Sequence, residues 1–147
     1  MKTAVVSLLV GCCLALPVWA ESAESPKLIN LMGNMQRFAH KLQLSLEAGN
    51  GPLADFYAHE LGAAVAQVGQ VESYSDYPVG RLTTSTLSPL LKTLIAGLDA
   101  GDIARANQAF DALLDGCNRC HAMTEHDYIR LQRNAANPYL QDFTAAP

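Results

Sequence analysis

Five consecutive residues near the end of the chain have types and a spacing that could do chemistry: Cys117, Asn118, Arg119, Cys120 and His121. Two thiols three positions apart, followed directly by a histidine, occur in covalent haem sites, redox-active dithiols and metal sites. A thioredoxin-type dithiol is expected where a strand leads into a helix, and a zinc site usually needs about four ligands, one more than these residues supply. A CxxC pair with a purely structural role, for example in a disulfide, is the remaining alternative.

The haem alternative has the most specific physical basis, because Cys-x-x-Cys-His is the attachment signature of a c-type haem. Two thiols one helical turn apart can add to the two vinyl groups on one edge of the porphyrin. The adjacent histidine is then directed at the iron as its proximal ligand. We therefore predict one haem c, attached through thioethers of Cys117 and Cys120, with His121 as an iron ligand.

The start of the chain predicts export. Met1-Lys2 is positively charged, residues 3–16 are almost entirely apolar or small, and Pro17 to Ala20 offer a cleavage site. These features indicate a signal peptide over residues 1–20 and a periplasmic location; the apolar run is shorter than the roughly 20 residues of a membrane-spanning helix. A competing interpretation takes Leu9 to Cys12 as a lipoprotein box, with a lipid anchor on Cys12.

The mature chain, residues 21–147, has the size of one domain. Its nine Lys and Arg residues face 14 Asp and Glu residues, and this acidic balance argues against nucleic acid as a partner. Its two cysteines are Cys117 and Cys120. In an oxidising exported compartment such a pair is expected to be oxidised or otherwise occupied.

Apolar residues recur at three- and four-residue steps, which predicts helices throughout. The first is expected from Ser25-Pro26 to Gly49, the second from Leu53 to Tyr74, the third from Ser88-Pro89 to Gly101, and the fourth from Ile103, capped by Asp102, through His121. Residues 75–86 are expected to be a loop and residues 134–147 an irregular tail. Helices of these lengths with short connections predict an all-α, antiparallel four-helix bundle, with the cysteine pair on the inward stripe of the last helix.

The late position of the motif restricts the second iron ligand. Met123 is the only methionine after His121, and two residues away on the same chain it cannot reach the opposite face of the haem. The distal residue must therefore come from upstream.

A four-helix bundle with Cys-x-x-Cys-His late in its last helix resembles the class II c-type cytochromes, the cytochrome c prime group and its low-spin relatives. The resemblance implies a haem inside the bundle, with a side chain of the first helix facing its distal side. Methionine there implies a six-coordinate electron carrier, whereas a non-ligating apolar residue implies a five-coordinate protein that takes up NO or CO.

The chain is also similar to a set of small exported haem c proteins. The similarity lies in KLQLSLEAGN (Lys41 to Asn50), in the late CNxCH and in NPYLQDF (Asn137 to Phe143). The tail after His121 is longer than is usual in the class II pattern.

Given a haem that faces the first helix, Met32 and Met35 are the candidate distal ligands, since both lie on its apolar stripe. His40 falls beside Gln36, Gln43 and Glu47, on the face expected to be solvated. His59 is also expected to be solvated, and His126 need not share the side of His121.

Three further residues are assigned to the haem surroundings. Arg119 lies inside the attachment loop and could pair with a haem propionate. Phe110 and Leu113 are expected in the core, packed against the porphyrin.

These features predict a periplasmic monohaem c-type cytochrome that carries electrons between redox partner proteins. The alternative is a five-coordinate haem protein that binds or senses NO or CO. An enzyme is not expected: peroxide cleavage needs polar distal groups, and the first helix offers methionine, leucine and alanine. We expect no membrane span, and the family resemblance suggests a homodimer through the outer faces of the first two helices.

Overall fold

The computed structural model describes residues 27–145, and every regular element among them is a helix. The four helices are α1 (Leu28–Glu47), α2 (Gly51–Gly69), α3 (Val79–Asp99) and α4 (Ile103–Met123). Each helix packs against the next one in chain order, while α1 and α4 make only slight direct contact. These helices form the predicted four-helix bundle.

The core lies along the axis of the bundle. Each helix contributes a side chain that is almost completely buried, with 0–1% of its surface exposed: Leu42 from α1, Val68 from α2, Leu94 from α3 and Phe110 from α4. Full burial of one such side chain is worth about 1.5–3 kcal/mol. Each helix therefore turns an apolar side towards the core, as the three- and four-residue steps of the sequence predict.

Two helices begin with side-chain caps. The Asn50 side chain accepts a hydrogen bond from the Leu53 backbone N–H at 3.2 Å, and Asp102 accepts one from the Arg105 N–H at 2.9 Å. Each cap satisfies a backbone donor that has no partner within the first turn of its helix. The predicted start of α4 behind Asp102 is confirmed.

The end of α4 reverses the direction of the chain. The Glu125 N–H donates to the Ala122 carbonyl at 3.3 Å, and the His126 N–H donates to the His121 carbonyl at 2.8 Å. This pair of bonds is the Schellman pattern, in which the residue after the helix takes a left-handed conformation. Glu125 has a φ of 60°, where a residue with a side chain costs roughly 1–2 kcal/mol.

The predicted start of α3 at Ser88-Pro89 is wrong, because the helix begins at Val79 and takes in most of the expected loop over residues 75–86. Pro89 lies inside the helix, where a proline removes one backbone hydrogen bond. The buried stripe nevertheless continues past it from Leu87 to Leu91. Packing of this stripe overrides the local start signal.

The predicted end of α2 at Tyr74 is also wrong, since α2 ends at Gly69. Tyr74 instead pairs with Tyr77 through two backbone hydrogen bonds of 2.9 and 3.0 Å around a tight turn. Ser75 and Asp76 at the tip have φ values of 47° and 68°, the sign found at both central residues of type I′ turns.

The tail after α4 has no regular secondary structure from Thr124 to Ala145, but it is bound to the bundle along its length. Near its middle, Arg133 forms ion pairs with Asp111 of α4 at 2.7 Å and with Glu47 of α1 at 3.2 Å. Near its end, the Asn50 amide donates to the carbonyl of Phe143 at 3.2 Å. The tail thus bridges α1 and α4, the two helices with little direct contact.

The prediction that His40 is solvated is wrong because the tail covers this part of α1. His40 is half-buried, and its Nε2 lies 2.9 Å from the Asn134 carbonyl while its Nδ1 lies 3.2 Å from the Tyr139 hydroxyl. Gln43, expected on the same solvated face, is 2% exposed and accepts a hydrogen bond from the Asn134 N–H. His59 is exposed, as predicted.

Among residues 27–145, no helix combines the length and the apolar character that crossing a bilayer requires. The predicted signal peptide, the possible lipid anchor at Cys12 and the predicted cap at Ser25 lie outside the described residues.

Gly80, in the first turn of α3, lies against the end of α2 and the residues that follow it, and its N–H donates to the Val71 carbonyl at 2.9 Å. A Cβ atom at Gly80 would lie 2.6 Å from the Gly69 carbonyl oxygen and still closer to that of Val71. We predict that Gly80→Ala lowers the free energy of unfolding by about 1–3 kcal/mol, as overpacking does.

The matched control is Gly33→Ala on α1, where an added Cβ meets nothing within 4 Å. This change should raise the free energy of unfolding by about 0.5–1 kcal/mol, because alanine restricts the unfolded chain. Urea titration followed by circular dichroism measures both values. Equal effects of the two substitutions would contradict the described approach of α3 to α2.

Candidate functional site

An apolar cavity of about 390 Å³ lies at one end of the bundle. Its walls come from the first half of α1, the second half of α2, the first half of α3 and the second half of α4, so these four helix halves lie at the same end. This arrangement confirms that neighbouring helices are antiparallel. Apolar side chains make up most of the wall, including Leu28, Met35, Leu61, Val65, Leu87 and Leu113. The volume lies within the range of roughly 300–1,000 Å³ that is typical of ligand and cofactor pockets.

Three residues of the CNRCH motif line this cavity: Cys117, Cys120 and His121. Cys117 is half-buried, Cys120 is 6% exposed, and neither forms a disulfide. The structure therefore brings both predicted thioether positions and the predicted iron ligand to one apolar space, as their spacing on an inward helical stripe requires.

The pKa values of the Cys117 and Cys120 thiols are raised, whereas those of a reactive dithiol are lowered. Burial raises the pKa of Cys117 to about 11, and the neighbouring Cys120 adds to the effect. Burial also raises the pKa of Cys120. Reactive cysteines instead have lowered pKa values and often lie at helix N-termini; this pair lies in the C-terminal half of α4. Both groups are neutral thiols at pH 7, which weighs against a thioredoxin-type function.

Thr83 of α3 places a hydroxyl in the wall beside Cys120. Its proximity lowers the pKa of the Cys120 thiol, but burial raises that pKa by more. Among the described residues, no hydrogen-bond partner lies within hydrogen-bonding geometry of the Thr83 hydroxyl. Thr83 is 1% exposed, and an unpartnered buried hydroxyl costs roughly 1–3 kcal/mol. A polar atom of an occupant could satisfy it.

The ring of His121 is held by the loop that follows α4. Its Nδ1 lies 2.8 Å from the backbone carbonyl oxygen of Ile129. A carbonyl oxygen only accepts hydrogen bonds, so Nδ1 must carry the proton and, in the neutral ring, Nε2 keeps its lone pair. This is the tautomer of a histidine that binds a metal through Nε2 while a backbone carbonyl orients it. The sequence offers no signal for Ile129, because the contribution comes from its backbone.

Asn118, inside the motif, also contacts the tail. Its amide donates to the Leu131 carbonyl at 3.0 Å, and its side-chain oxygen accepts from the Leu131 N–H at 2.8 Å. One side chain thus satisfies both polar groups of one residue of an irregular segment. Sequence reasoning missed this function of Asn118, although the asparagine belongs to the CNxCH pattern.

The first helix supplies two sulfur atoms to the cavity. Met32 and Met35 both line it, Met32 half-buried and Met35 7% exposed. Two candidate thioether ligands from α1 therefore share a space with His121 from α4. That one of them binds iron stays a prediction.

The structure brings His126 into the cavity wall as well. The turn after α4 places it there, with its Nδ1 bonded to the Thr124 carbonyl and its ring beside Tyr128. The cavity therefore holds two imidazoles, one more than the sequence prediction assigned to it.

The remaining predicted site residues divide into two groups. Leu113 lines the apolar cavity, whereas the fully buried Phe110 lines a neighbouring cavity and lies under the guanidinium of Arg133, 5.0 Å from its ring centre. Arg119 is exposed and lines neither cavity. Its predicted contact with a propionate stays a prediction.

Within residues 27–145, no three His, Cys, Asp or Glu side chains come close enough together to hold a metal ion. These residues thus lack the set of about four protein ligands that a structural zinc site requires.

No protein-family model matches this chain, and comparisons with curated proteins and with solved structures give no match either. Any assignment of function therefore depends on the cavity and the side chains that line it.

We predict that Asn118→Ala lowers the free energy of unfolding by about 1–3 kcal/mol, because it leaves the N–H and carbonyl of Leu131 without their partner. Amide exchange at Leu131 should become faster. The matched control is Asn30→Ala, since Asn30 is exposed on α1 and its side chain makes no hydrogen bond among the described residues. Slow exchange at Leu131 in the Asn118 variant would contradict the bridge.

Proposed function

We propose that this protein is an exported c-type cytochrome with one covalent haem, and that it carries single electrons between redox partner proteins. The observation that carries the proposal is the hydrogen bond between His121 Nδ1 and the Ile129 carbonyl, which leaves Nε2 as a ligand atom in the apolar cavity that Cys117 and Cys120 also line. The family resemblance of CNRCH agrees with this observation but is independent of it.

The side chains present fit the attachment of a haem c. Each thiol, Cys117 and Cys120, would add its S–H across one vinyl C=C bond, so that a thioether C–S bond forms and the hydrogen passes to carbon. No oxidant or reductant is consumed. His121 would supply the proximal nitrogen and Met32 or Met35 the distal sulfur.

When bound, a haem supplies a one-electron couple between ferric and ferrous iron. The protein would tune this couple in two ways. His121 and one methionine would set the electron density at the iron, and the apolar wall would exclude water from it. Burial among apolar side chains disfavours the additional positive charge of the ferric state and so raises the reduction potential. No general acid or base is needed for electron transfer.

The distal position decides between an electron carrier and a gas-binding protein, and two nearly isosteric substitutions test it. Met32→Leu and Met35→Leu remove one sulfur each and keep the apolar volume. We predict a low-spin spectrum for the wild type, with the weak long-wavelength ferric band of a methionine–iron bond. One of the two variants should lose this band and become high-spin, while the other keeps it.

The test uses the protein produced with a haem-attachment system in an exported compartment. A high-spin wild-type ferrous form that binds CO without displacing a ligand would overturn the electron-carrier proposal in favour of gas binding. Retention of the methionine band in both single variants would mean that either methionine can bind the iron, whereas its retention in the double variant would exclude both predicted ligands. Failure to obtain any haem-containing protein would overturn the proposal as a whole.

A further inference from the structure

A second cavity, of about 630 Å³, lies between α1, α4 and the tail. Its wall differs in kind from that of the apolar cavity, because polar side chains predominate. The tail forms one side of it through residues 130–134 and Tyr139, and α1 forms the opposite side. The tail thus forms one wall of a cleft that stays partly open to solvent.

The charge of this wall is positive in a protein whose formal net charge is −4. The ionisable side chains that line it are three arginines, one histidine and one tyrosine: Arg37, Arg130, Arg133, His40 and Tyr139. No aspartate or glutamate lines it. Such a concave surface with a single sign of charge concentrates ions of the opposite sign.

Two of the arginines lack a carboxylate partner among residues 27–145. Arg133 is paired with Asp111 and Glu47, which fixes its position and offsets its charge. Arg37 contacts the side-chain oxygen of Asn34 at 3.3 Å, and Arg130 forms no ion pair among the described residues. Arg37 and Arg130 therefore have donors free for a ligand.

Arg37 and Tyr139 line the same cavity, and the charge of Arg37 acts on the Tyr139 hydroxyl. Burial raises the pKa of the Tyr139 hydroxyl, and the Arg37 guanidinium acts in the opposite direction by stabilising the anionic form. An anion beside Tyr139 would experience the same stabilisation. Planar guanidinium groups bind carboxylates through two parallel hydrogen bonds, which makes them the usual protein partner of this group.

The two cavities are adjacent. They share five lining residues, and these form the boundary between the apolar and the basic space: Gly33, Gln36, Ala39, Leu114 and Leu131. An apolar occupant of the first cavity that carries carboxylates on one edge could extend them into the second.

We propose that the basic cavity is a carboxylate-binding site in which Arg37 and Arg130 are the recognising residues. The carboxylates have two possible sources. One is the pair of propionates of the haem, and this source rests on the proposed function. The other is a free small polycarboxylate, which requires no haem.

The test compares Arg37→Gln and Arg130→Gln with Arg105→Gln. The control makes the same change of charge at an exposed arginine that lies on the first turn of α4 and outside both cavities. Calorimetry with citrate at low ionic strength measures binding of a free polycarboxylate by each protein. Resonance Raman spectroscopy of the same proteins follows the propionate bending band, which responds to hydrogen bonding of the carboxylates.

Two results support the site and identify the source. If citrate binds the wild type and each cavity variant binds it about tenfold more weakly, the ligand is a free polycarboxylate, since a charge-assisted hydrogen bond contributes roughly one order of magnitude in affinity. If citrate does not bind but both cavity variants shift the propionate band and Arg105→Gln does not, the ligands are the haem propionates.

The proposal is overturned if citrate binding and the propionate band are the same in the cavity variants as in Arg105→Gln. A protein that carries no haem still gives the calorimetric result: citrate binding that depends on Arg37 and Arg130 supports the site, and its absence overturns it. Failure of the proposed function is detected separately, by the lack of haem absorption.

Discussion

The hydrogen bond between His121 Nδ1 and the carbonyl of Ile129 is the interaction on which the site depends. It requires the chain to turn back immediately after α4, and the Schellman turn at Glu125 produces that reversal. Without the reversal, no backbone acceptor would define which nitrogen of His121 carries the proton. The left-handed conformation of Glu125, which glycine would adopt at lower cost, is consistent with a turn that serves the site.

The same reversal starts the tail on its course along the bundle. Asn118 holds the tail at Leu131, and Arg133 then joins it to both α1 and α4. The weak direct contact between α1 and α4 follows from this arrangement, because the apolar cavity and the tail occupy the space between them. The tail therefore closes the bundle, orients His121 and forms one wall of the basic cavity.

Helix caps and the spacing of apolar residues correctly predicted the elements that form through contacts between residues close in sequence. The Asp102 cap and the apolar stripe of α4 predicted that Cys117 and Cys120 lie on the inward side of the helix, where they line the apolar cavity together with His121. Ser88-Pro89 gave an equally clear signal and was misleading, since packing of α3 against α2 at Gly80 extends the helix back to Val79.

The tail could not be predicted in this way. Its bonds join residues that are far apart in sequence, such as His40 and Asn134, 94 positions apart. The residue types do not indicate which residues contact each other, so His40 and Gln43 were predicted to be solvated. The basic cavity could not be predicted from the sequence either, because its arginines are far apart along the chain: Arg37 lies on α1 and Arg130 follows α4.

Covalent attachment of one haem through both cysteines is the central claim, and Arg119 between them makes a direct measurement possible. Tryptic cleavage after Arg105, Arg119 and Arg130 releases Cys117 in peptide 106–119 and Cys120 in peptide 120–130. The protein is produced with a haem-attachment system, unfolded and digested, and mass spectrometry should find these two peptides joined, with a mass equal to their sum plus one haem. Two separate, unmodified peptides would contradict the account.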